Sequence, residues 1–422
     1  MTIDKDPTAD GPQTILPHES ERRFIADGGL ETTLVFHDGI DLPDFAAFPL
    51  LDDEDGRAAL TRYYRGFQDI AASHGVGLLL DTPTWRASPD WASRLGWSEE
   101  PLITINRTAV HFVRDLAGER PHTQSVINGV IGPRGDGYAV GDAMSADDAE
   151  RYHLLQAEAF AAAGADMITA VTMTYTDEAI GIIQAARQVN LPVAIGFTVE
   201  TDGRLPSGER LRDATERVDA ATGEAPVYFM INCAHPTHFA EQFDDDGPWL
   251  ERIKAVRANA SRLSHAELDE AEELDRGKPA ELASDYLKID EVLPDLRLIG
   301  GCCGTDHEHL DALVESIADP LGAGGERKSG GVIPAASKII HSTRSTPRTS
   351  SVTPCSTCSR VLTSRNHASP PSARSSVSQS TTNSTVPADR YFTSRARSQA
   401  LSHKRSRSAS EMPGAGDSSM TF

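Results

Sequence analysis

Short apolar runs alternate with amphipathic stretches through most of the chain. Several runs are apolar almost throughout, such as GLLLD, VAIGF and VYFMIN, which is typical of parallel strands that are covered on both faces. Eight such runs predict strands, namely Phe24–Asp27, Gly77–Asp81, Ser125–Ile131, Asp166–Thr172, Val193–Val199, Val227–Asn232, Ala255–Asn259 and Leu296–Gly300.

Between these runs the apolar positions recur at the three-to-four-residue spacing of helices. The predicted helices are Glu54–Ser73, Pro101–Leu116, Ala146–Ala163, Asp177–Gln188, Arg210–Ala221 and His307–Ile317. Eight strands separated by helices predict an α/β fold, a (β/α)8 TIM barrel. A doubly wound open sheet is the alternative, but the G-x-G-x-x-G turn that is typical of its first strand is absent here.

The composition of the chain changes at about Ser329. From there onward the sequence is rich in Ser, Thr, Arg and Pro, and 12 Lys and Arg residues against 3 acidic residues give it a net charge of +9. Because the whole chain carries −22, residues 1–328 carry −31. We therefore predict a disordered lead-in over residues 1–20, a barrel over residues 21–325 and a disordered Ser/Arg-rich tail over residues 326–422.

The acidic body also limits the classes of partner. It would repel nucleic acid and anionic membrane surfaces, and no run approaches the roughly 20 apolar residues that a membrane span needs. The first residues do not read as a secretory signal. We therefore expect a cytoplasmic enzyme with reduced cysteines and with no nucleic-acid or membrane partner. Residues 264–290 predict an acidic helical insertion whose charges form a solvated face without chemistry.

Three of the five cysteines follow predicted strands. Cys233 closes the run YFMINC, and the adjacent Cys302 and Cys303 follow LRLIGG. Both places lie at the C-terminal rim of a barrel, where active sites are built, and strands six and eight are close enough around the ring to share one ion. Three thiolates with one open position are typical of a catalytic zinc site. A single cysteine would be explained as an ordinary buried residue, but a CC pair matched to a strand-end cysteine predicts bound Zn²⁺.

Three segments resemble a known family. ADGGLETTL, MINCAHP and GGCCGTDHEH are similar to the homocysteine S-methyltransferase family, which includes betaine-dependent and S-methylmethionine-dependent members. The resemblance covers about residues 22–320. It implies a (β/α)8 barrel in which Cys233, Cys302 and Cys303 bind zinc, and in which the segment containing Asp27 and Gly28 lies beside the metal and the bound thiol.

The resemblance also implies the other site residues. Asp27 is expected to be catalytic, and the expected substrate-binding residues are Asp27, Gly28, Thr84, Trp85, Asn232 and Asn259. Two positions depart from the family pattern: Val171 stands where an E-T segment has Glu, and Arg86 stands where an aromatic residue can follow T-x-T-F. The histidines beside the cysteines are interpreted as helix caps or as partners behind the ligands, and these are His235, His238, His307 and His309.

The activity that the resemblance implies is methyl transfer from a sulfonium or quaternary ammonium donor to the thiol of homocysteine or a related small thiol. A free thiol is mostly protonated at neutral pH, whereas a thiol bound to zinc is held as thiolate. A positively charged donor would be bound by carboxylates or aromatic faces, for which Trp85 is a candidate. Two alternatives stay open: a barrel hydrolase that uses zinc-bound water, with Asp27 or a flanking histidine as base, and a non-catalytic metal- or RNA-binding protein built around the tail.

Overall fold

Eight parallel strands close into a barrel in the order of the sequence, and β8 pairs back with β1. The computed structural model describes residues 14–317, except residues 245, 246, 272 and 294. The closed sheet confirms the predicted (β/α)8 barrel and excludes the open sheet. The predictions for residues 1–13 and for residues 318–422 lie outside the described residues.

Every predicted strand is present, and the observed ends differ from the predicted ones by at most two residues. Strand β1 is the shortest, with two residues, and the Asp27 carbonyl after it still accepts a hydrogen bond from the Gly301 N–H of β8 at 2.8 Å. The strands are β1 Phe24–Ile25, β2 Gly77–Asp81, β3 Ser125–Ile131, β4 Met167–Met173, β5 Val193–Phe197, β6 Phe229–Asn232, β7 Ile253–Ala258 and β8 Leu298–Gly301.

Seven helices of eleven or more residues cover the described barrel: α1 Glu54–His74, α2 Glu99–Glu119, α3 Ala146–Ala163, α4 Thr176–Gln188, α5 Leu211–Thr222, α6 Pro279–Val292 and α7 His307–Ile317. Shorter α-helical segments are Leu30–Thr32, Pro89–Arg94, Pro236–Phe239 and His265–Glu270. Local signals fix the ends of α3, since Ser145 caps the Asp148 N–H and Gly164 follows in the left-handed conformation with φ 83°. None of the described helices has the length and apolar character to cross a membrane.

The apolar core has two layers, because successive side chains of a strand point to opposite faces of the sheet. On β2, Leu79 faces the barrel interior, whereas Leu78 and Leu80 pack under the helices. Residues before the predicted barrel domain join the interior as well, since Leu16 is buried there and Pro17–Glu19 form a 3₁₀ turn. Leu16 thus packs with the barrel interior, although it precedes residue 21, where the domain was predicted to begin.

The prediction for residues 264–290 is wrong in one respect. This stretch is two helices, and the second, α6, is the regular barrel helix between β7 and β8. Its apolar positions Leu282, Tyr286 and Ile289 are buried at helical spacing, and the Tyr286 hydroxyl donates to the Gly300 carbonyl at 2.6 Å. Most acidic residues of α6 lie on its outer face, with Asp285 as the buried exception, and their number concealed the apolar stripe.

Candidate metal centre

The sulfurs of Cys233, Cys302 and Cys303 come together at the C-terminal rim of the barrel, all within 4.8 Å of one another. The Cys233 sulfur lies 3.0 Å from that of Cys302 and 3.7 Å from that of Cys303. Around a tetrahedral ion with Zn–S bonds of about 2.3 Å, sulfurs are about 3.8 Å apart. The distance between Cys233 and Cys303 matches this value and that between Cys233 and Cys302 is shorter, so the three sulfurs are close enough to share one ion. No other His, Cys, Asp or Glu group in the described part of the chain has this arrangement.

The strand ends position these cysteines through backbone contacts. The Cys233 N–H donates to the Arg257 carbonyl at 3.0 Å, and the Cys302 N–H donates to the Ala258 carbonyl at 2.8 Å. These bonds extend the pairing of β6, β7 and β8 beyond the strands. Cys233 has φ 58°, a left-handed conformation that is uncommon for a residue with a side chain. Thr172, at the end of β4, has φ 64°.

Glycine is required where the first rim loop approaches the cluster. A Cβ at Gly28 would lie 2.8 Å from the Thr305 carbonyl oxygen, and one at Gly29 would lie 2.7 Å from the Cys302 carbonyl oxygen. The DGG segment thus passes directly against the loop that carries the cysteine pair.

Crowding of three buried thiols perturbs their ionisation. Contacts with Cys302 and Cys303, together with burial, raise the pKa of Cys233 well above its usual value. Contact with Cys233 lowers the pKa of Cys302 well below its usual value. Adjacent buried thiols cannot all be negative without a counter-charge, and a divalent cation would supply that charge. The donor set therefore fits a metal ion.

Two residues that were not predicted close over the cluster. The Tyr138 hydroxyl, from the loop after β3, lies 3.2 Å from the Cys233 sulfur and 3.5 Å from the Cys303 sulfur. Its ring stacks on His265 at 4.0 Å between centroids. His265 Nε2 lies 2.7 Å from the Cys233 carbonyl oxygen, and Nδ1 lies 3.0 Å from a Glu200 carboxylate oxygen. The acidic segment that was assigned no chemistry therefore contributes directly to the centre.

A buried group of three charges, the Asp–Arg–Asp triad, lies beside the cysteines. Arg257 on β7 forms ion pairs with Asp27, after β1, and with Asp81 at the end of β2. Asp27 also accepts a hydrogen bond from the Tyr63 hydroxyl at 3.1 Å. Burial raises the pKa of Asp27 to about 7, although the charge of Arg257 opposes this rise, and the nearby charge of Asp81 adds to it.

The cysteines and the triad line one cavity, the main cavity, together with Glu31, Trp85 and Arg86. The Arg86 guanidinium lies 4.6 Å from the centre of the Trp85 ring and 3.6 Å from that of Trp91. Arg94 lies 4.5 Å from the same Trp91 ring. The aromatic faces of this wall are thus covered by guanidinium groups of the chain itself.

The structure brings most of the expected substrate residues to this cavity. Asp27, Gly28, Trp85 and Asn232 line it, as does Val171. The Asn232 side chain is engaged by Thr172: its Oδ1 accepts from the Thr172 N–H at 2.9 Å, and its Nδ2 donates to the Thr172 hydroxyl at 2.9 Å.

Thr84 and Asn259 are not among the residues that line the main cavity. Thr84 is fully buried and its hydroxyl donates to the Val130 carbonyl at 2.7 Å. Asn259 Nδ2 donates to the Cys233 carbonyl at 3.0 Å, so it supports a cysteine from behind.

The flanking histidines make contacts of the kind that was expected for caps and supporting residues. His235 caps the helix Pro236–Phe239, and burial lowers its pKa to about 4. Nε2 of each other histidine lies 2.9 Å from a backbone carbonyl oxygen: His238 with Arg262, His307 with Tyr63 and His309 with Arg276.

Sequence signals existed for some of the residues that were not predicted. Arg257 is a lone charge within the apolar run KAVRA, and a buried charge needs a partner; Asp27 and Asp81 end two other strands. For His265, the capping box of Ser264 and Glu267 marks a helix start. Tyr138 lies in an irregular loop, GPRGDGYAV, where no periodicity indicates a direction.

The fold and the site together define a barrel protein with a thiol cluster at its catalytic rim. A family model described as homocysteine S-methyltransferase matches residues 24–317, so the chain belongs to that family and is a methyltransferase.

Solved structures of the homocysteine methyltransferase MmuM from Escherichia coli are similar in fold. The metallated form has 20% sequence identity and a TM-score of 0.54, over 70% of this chain and 96% of that chain. The oxidized form has 19% identity and a TM-score of 0.57, over 72% of this chain and 99% of that chain. No curated protein sequence matches the chain.

Proposed function

We propose that the protein is a zinc-dependent S-methyltransferase that methylates the thiol of homocysteine or a related small thiol, with a sulfonium or quaternary ammonium compound as donor. The observation that carries the proposal is the cluster of three thiols within 4.8 Å at the barrel rim. A set of thiolates without carboxylate ligands favours zinc over harder cations. Reduced thiols suit the cytoplasm, and with homocysteine the product is methionine.

Different residues of the chain would bind the metal and the acceptor. Cys233, Cys302 and Cys303 would hold the metal, and zinc, when bound, would keep the acceptor sulfur as thiolate. The acceptor sulfur would reach the cluster on the side where the Tyr138 hydroxyl now lies. The thiol proton goes to solvent.

The methyl transfer itself requires no proton donor. A lone pair of the acceptor sulfur forms the new S–CH3 bond, and the donor's bond to that methyl group breaks with its electron pair staying on the donor, which becomes neutral. The enzyme contributes chiefly by orienting the two reactants in line.

The main cavity would bind the acceptor. The residues proposed to contact it are Asp27, Gly28, Trp85 and Asn232, which line that cavity. Asp27 would act together with Arg257, so that an amino-acid end meets a cation and an anion side by side. Thr84 and Asn259 would act indirectly, by bracing Val130 and Cys233.

Metal analysis tests the site. The purified full chain should contain one zinc per molecule, and Cys233→Ser, Cys302→Ser and Cys303→Ser should each lose it. Cys355→Ser and Cys358→Ser are matched controls from the tail, and both should keep zinc. If all three rim variants keep zinc at the wild-type ratio, the ligand assignment is wrong.

A substrate panel tests the reaction. Zinc-loaded protein would be incubated with thiols, including homocysteine, and with S-methylmethionine, S-adenosylmethionine or betaine, and the methylated product would be identified by mass spectrometry. A zinc-loaded protein that methylates no thiol in the panel would contradict the proposed function.

A further inference from the structure

A second cavity, the side cavity, also reaches the cysteine cluster. Cys303 and Tyr138 line both the main cavity and the side cavity. The other walls of the side cavity come from Phe36 and from the segment after β7, including Leu268 and Leu274. Two cavities therefore meet at one thiol, and this arrangement suits an enzyme that brings two reactants together at a sulfur.

The two cavities differ in charge. The main cavity is lined by the guanidinium groups of Arg86, Arg94 and Arg257 as well as by carboxylates. In the side cavity the charged residues are Glu273 and Asp275, and none of its described lining residues is Lys or Arg. Mixed charge suits a zwitterionic amino acid, whereas acidic groups among apolar walls suit a cation.

The aromatic residues also indicate that a cation would bind in the side cavity rather than in the main cavity. In the main cavity, Arg86 and Arg94 cover the faces of the tryptophans, so a cationic donor would meet guanidinium groups there. In the side cavity, Phe36 is among the lining residues, and no guanidinium of the described lining stands beside it. Aromatic rings and carboxylates are the groups that bind onium cations.

The cover of the side cavity is fixed to the cluster itself. Helix His265–Glu270 begins at the capping box of Ser264 and Glu267, and His265 at its first turn contacts the Cys233 carbonyl and the Tyr138 ring. Leu268 lies one turn further along and faces the cavity.

We propose that the side cavity is the binding site of the methyl donor, an onium cation, while the main cavity binds the thiol acceptor. This assignment rests on the proposed function. It places the donor against Phe36, Leu268 and Glu273, with its methyl group directed toward the acceptor sulfur beside Cys303.

Filling the side cavity provides the first test. Leu268→Trp should raise the KM for S-methylmethionine, used as the sulfonium probe, by about tenfold or more, because the indole occupies the proposed donor space. The KM for homocysteine should stay within about twofold. Leu287→Trp is the matched control: Leu287 lies on α6 with 41% of its surface exposed, and both KM values should be unchanged.

Charge provides a second test that does not depend on packing. Glu273→Gln should raise the donor KM by about two- to fivefold, as expected for losing one exposed charge partner, and Glu273→Lys should raise it further. Arg86→Gln should instead change the KM for homocysteine. Calorimetric titration of zinc-loaded protein with S-methylmethionine, without thiol, should show that the affinity for the donor falls from the wild type to Glu273→Gln and again to Glu273→Lys.

The outcomes separate the two proposals. A wild-type protein that methylates no thiol contradicts the proposed function. A wild-type protein that is active, with zinc-loaded and folded Leu268→Trp and Glu273→Lys variants whose donor KM is unchanged, contradicts the side-cavity assignment alone. A rise in the thiol KM with an unchanged donor KM would reverse the assignment of the two cavities.

Discussion

Substitution of Arg257 by methionine would leave Asp27 and Asp81 inside the barrel without their shared counter-charge. All three residues are buried, with 9%, 5% and 5% of their surfaces exposed. Removing one partner of a buried ion pair costs about 3–5 kcal/mol of folding free energy, because a charge is left uncompensated. We expect a loss of this size at pH 8.

The loss should be smaller at pH 5.5. Burial raises the pKa of Asp27 to about 7 even with Arg257 present, so a carboxylate deprived of the guanidinium will take up a proton readily at the lower pH. Protonation removes the repulsion between the two acids. The assay is urea denaturation of the full chain at both pH values, comparing midpoints at a constant m-value.

Two further proteins make this experiment decisive. Arg65→Met removes an exposed pair with Glu119 and should cost at most about 1 kcal/mol. Adding Asp27→Asn and Asp81→Asn to Arg257→Met should restore much of the lost stability, since all three charges of the triad are then removed. An Arg257→Met protein no less stable than Arg65→Met, or strictly additive effects in the triple variant, would refute the reasoning.

Three other substitutions address the main cavity. Tyr138→Phe should keep zinc and bind thiols about two- to tenfold more tightly in equilibrium titrations, because the acceptor no longer displaces a hydroxyl; weaker binding would contradict this. Burial raises the pKa of Glu31 to about 7 from 4.5, so the folded protein retains a proton that the unfolded chain releases. Wild-type stability should therefore fall by up to about 3 kcal/mol relative to Glu31→Gln as pH rises from 4.5 through 7, and parallel curves would count against it. Val171→Glu should favour homocysteine over thiols without an amine by about tenfold, the effect of one charge-assisted hydrogen bond, and an unchanged ratio would mean that position 171 does not face the amine.

The barrel could be predicted because each strand is a short apolar run of consecutive residues in the sequence. In the run GLLLD three consecutive leucines precede the strand-end Asp81, and such a run is typical of a strand that has helices on one face and the barrel interior on the other. The strand-end position of Cys233 and of the Cys302–Cys303 pair followed from the same pattern. Their convergence then needed only the rule that parallel strands end at one rim.

What was missed depends on contacts that no local pattern encodes. Tyr138 reaches the sulfurs from an irregular loop, and its direction is set by stacking on His265 rather than by periodicity. His265 lies in an acidic segment whose average composition indicates solvent exposure. Arg86 covers the Trp85 ring because of the placement of its side chain. The prediction that Trp85 could bind a cationic donor did not include this contact.

The left-handed backbone at Thr172 and Cys233 has a consequence for the evolution of the chain. Such a conformation costs a residue with a side chain about 1–2 kcal/mol, and glycine adopts it freely. The backbone alone would therefore favour glycine at both positions, and only the contacts of the side chains oppose it. At 172 the change would remove the hydroxyl held by Asn232, and at 233 it would remove a thiol of the cluster. At these two rim positions the chain thus keeps a strained backbone in return for a side chain that glycine lacks.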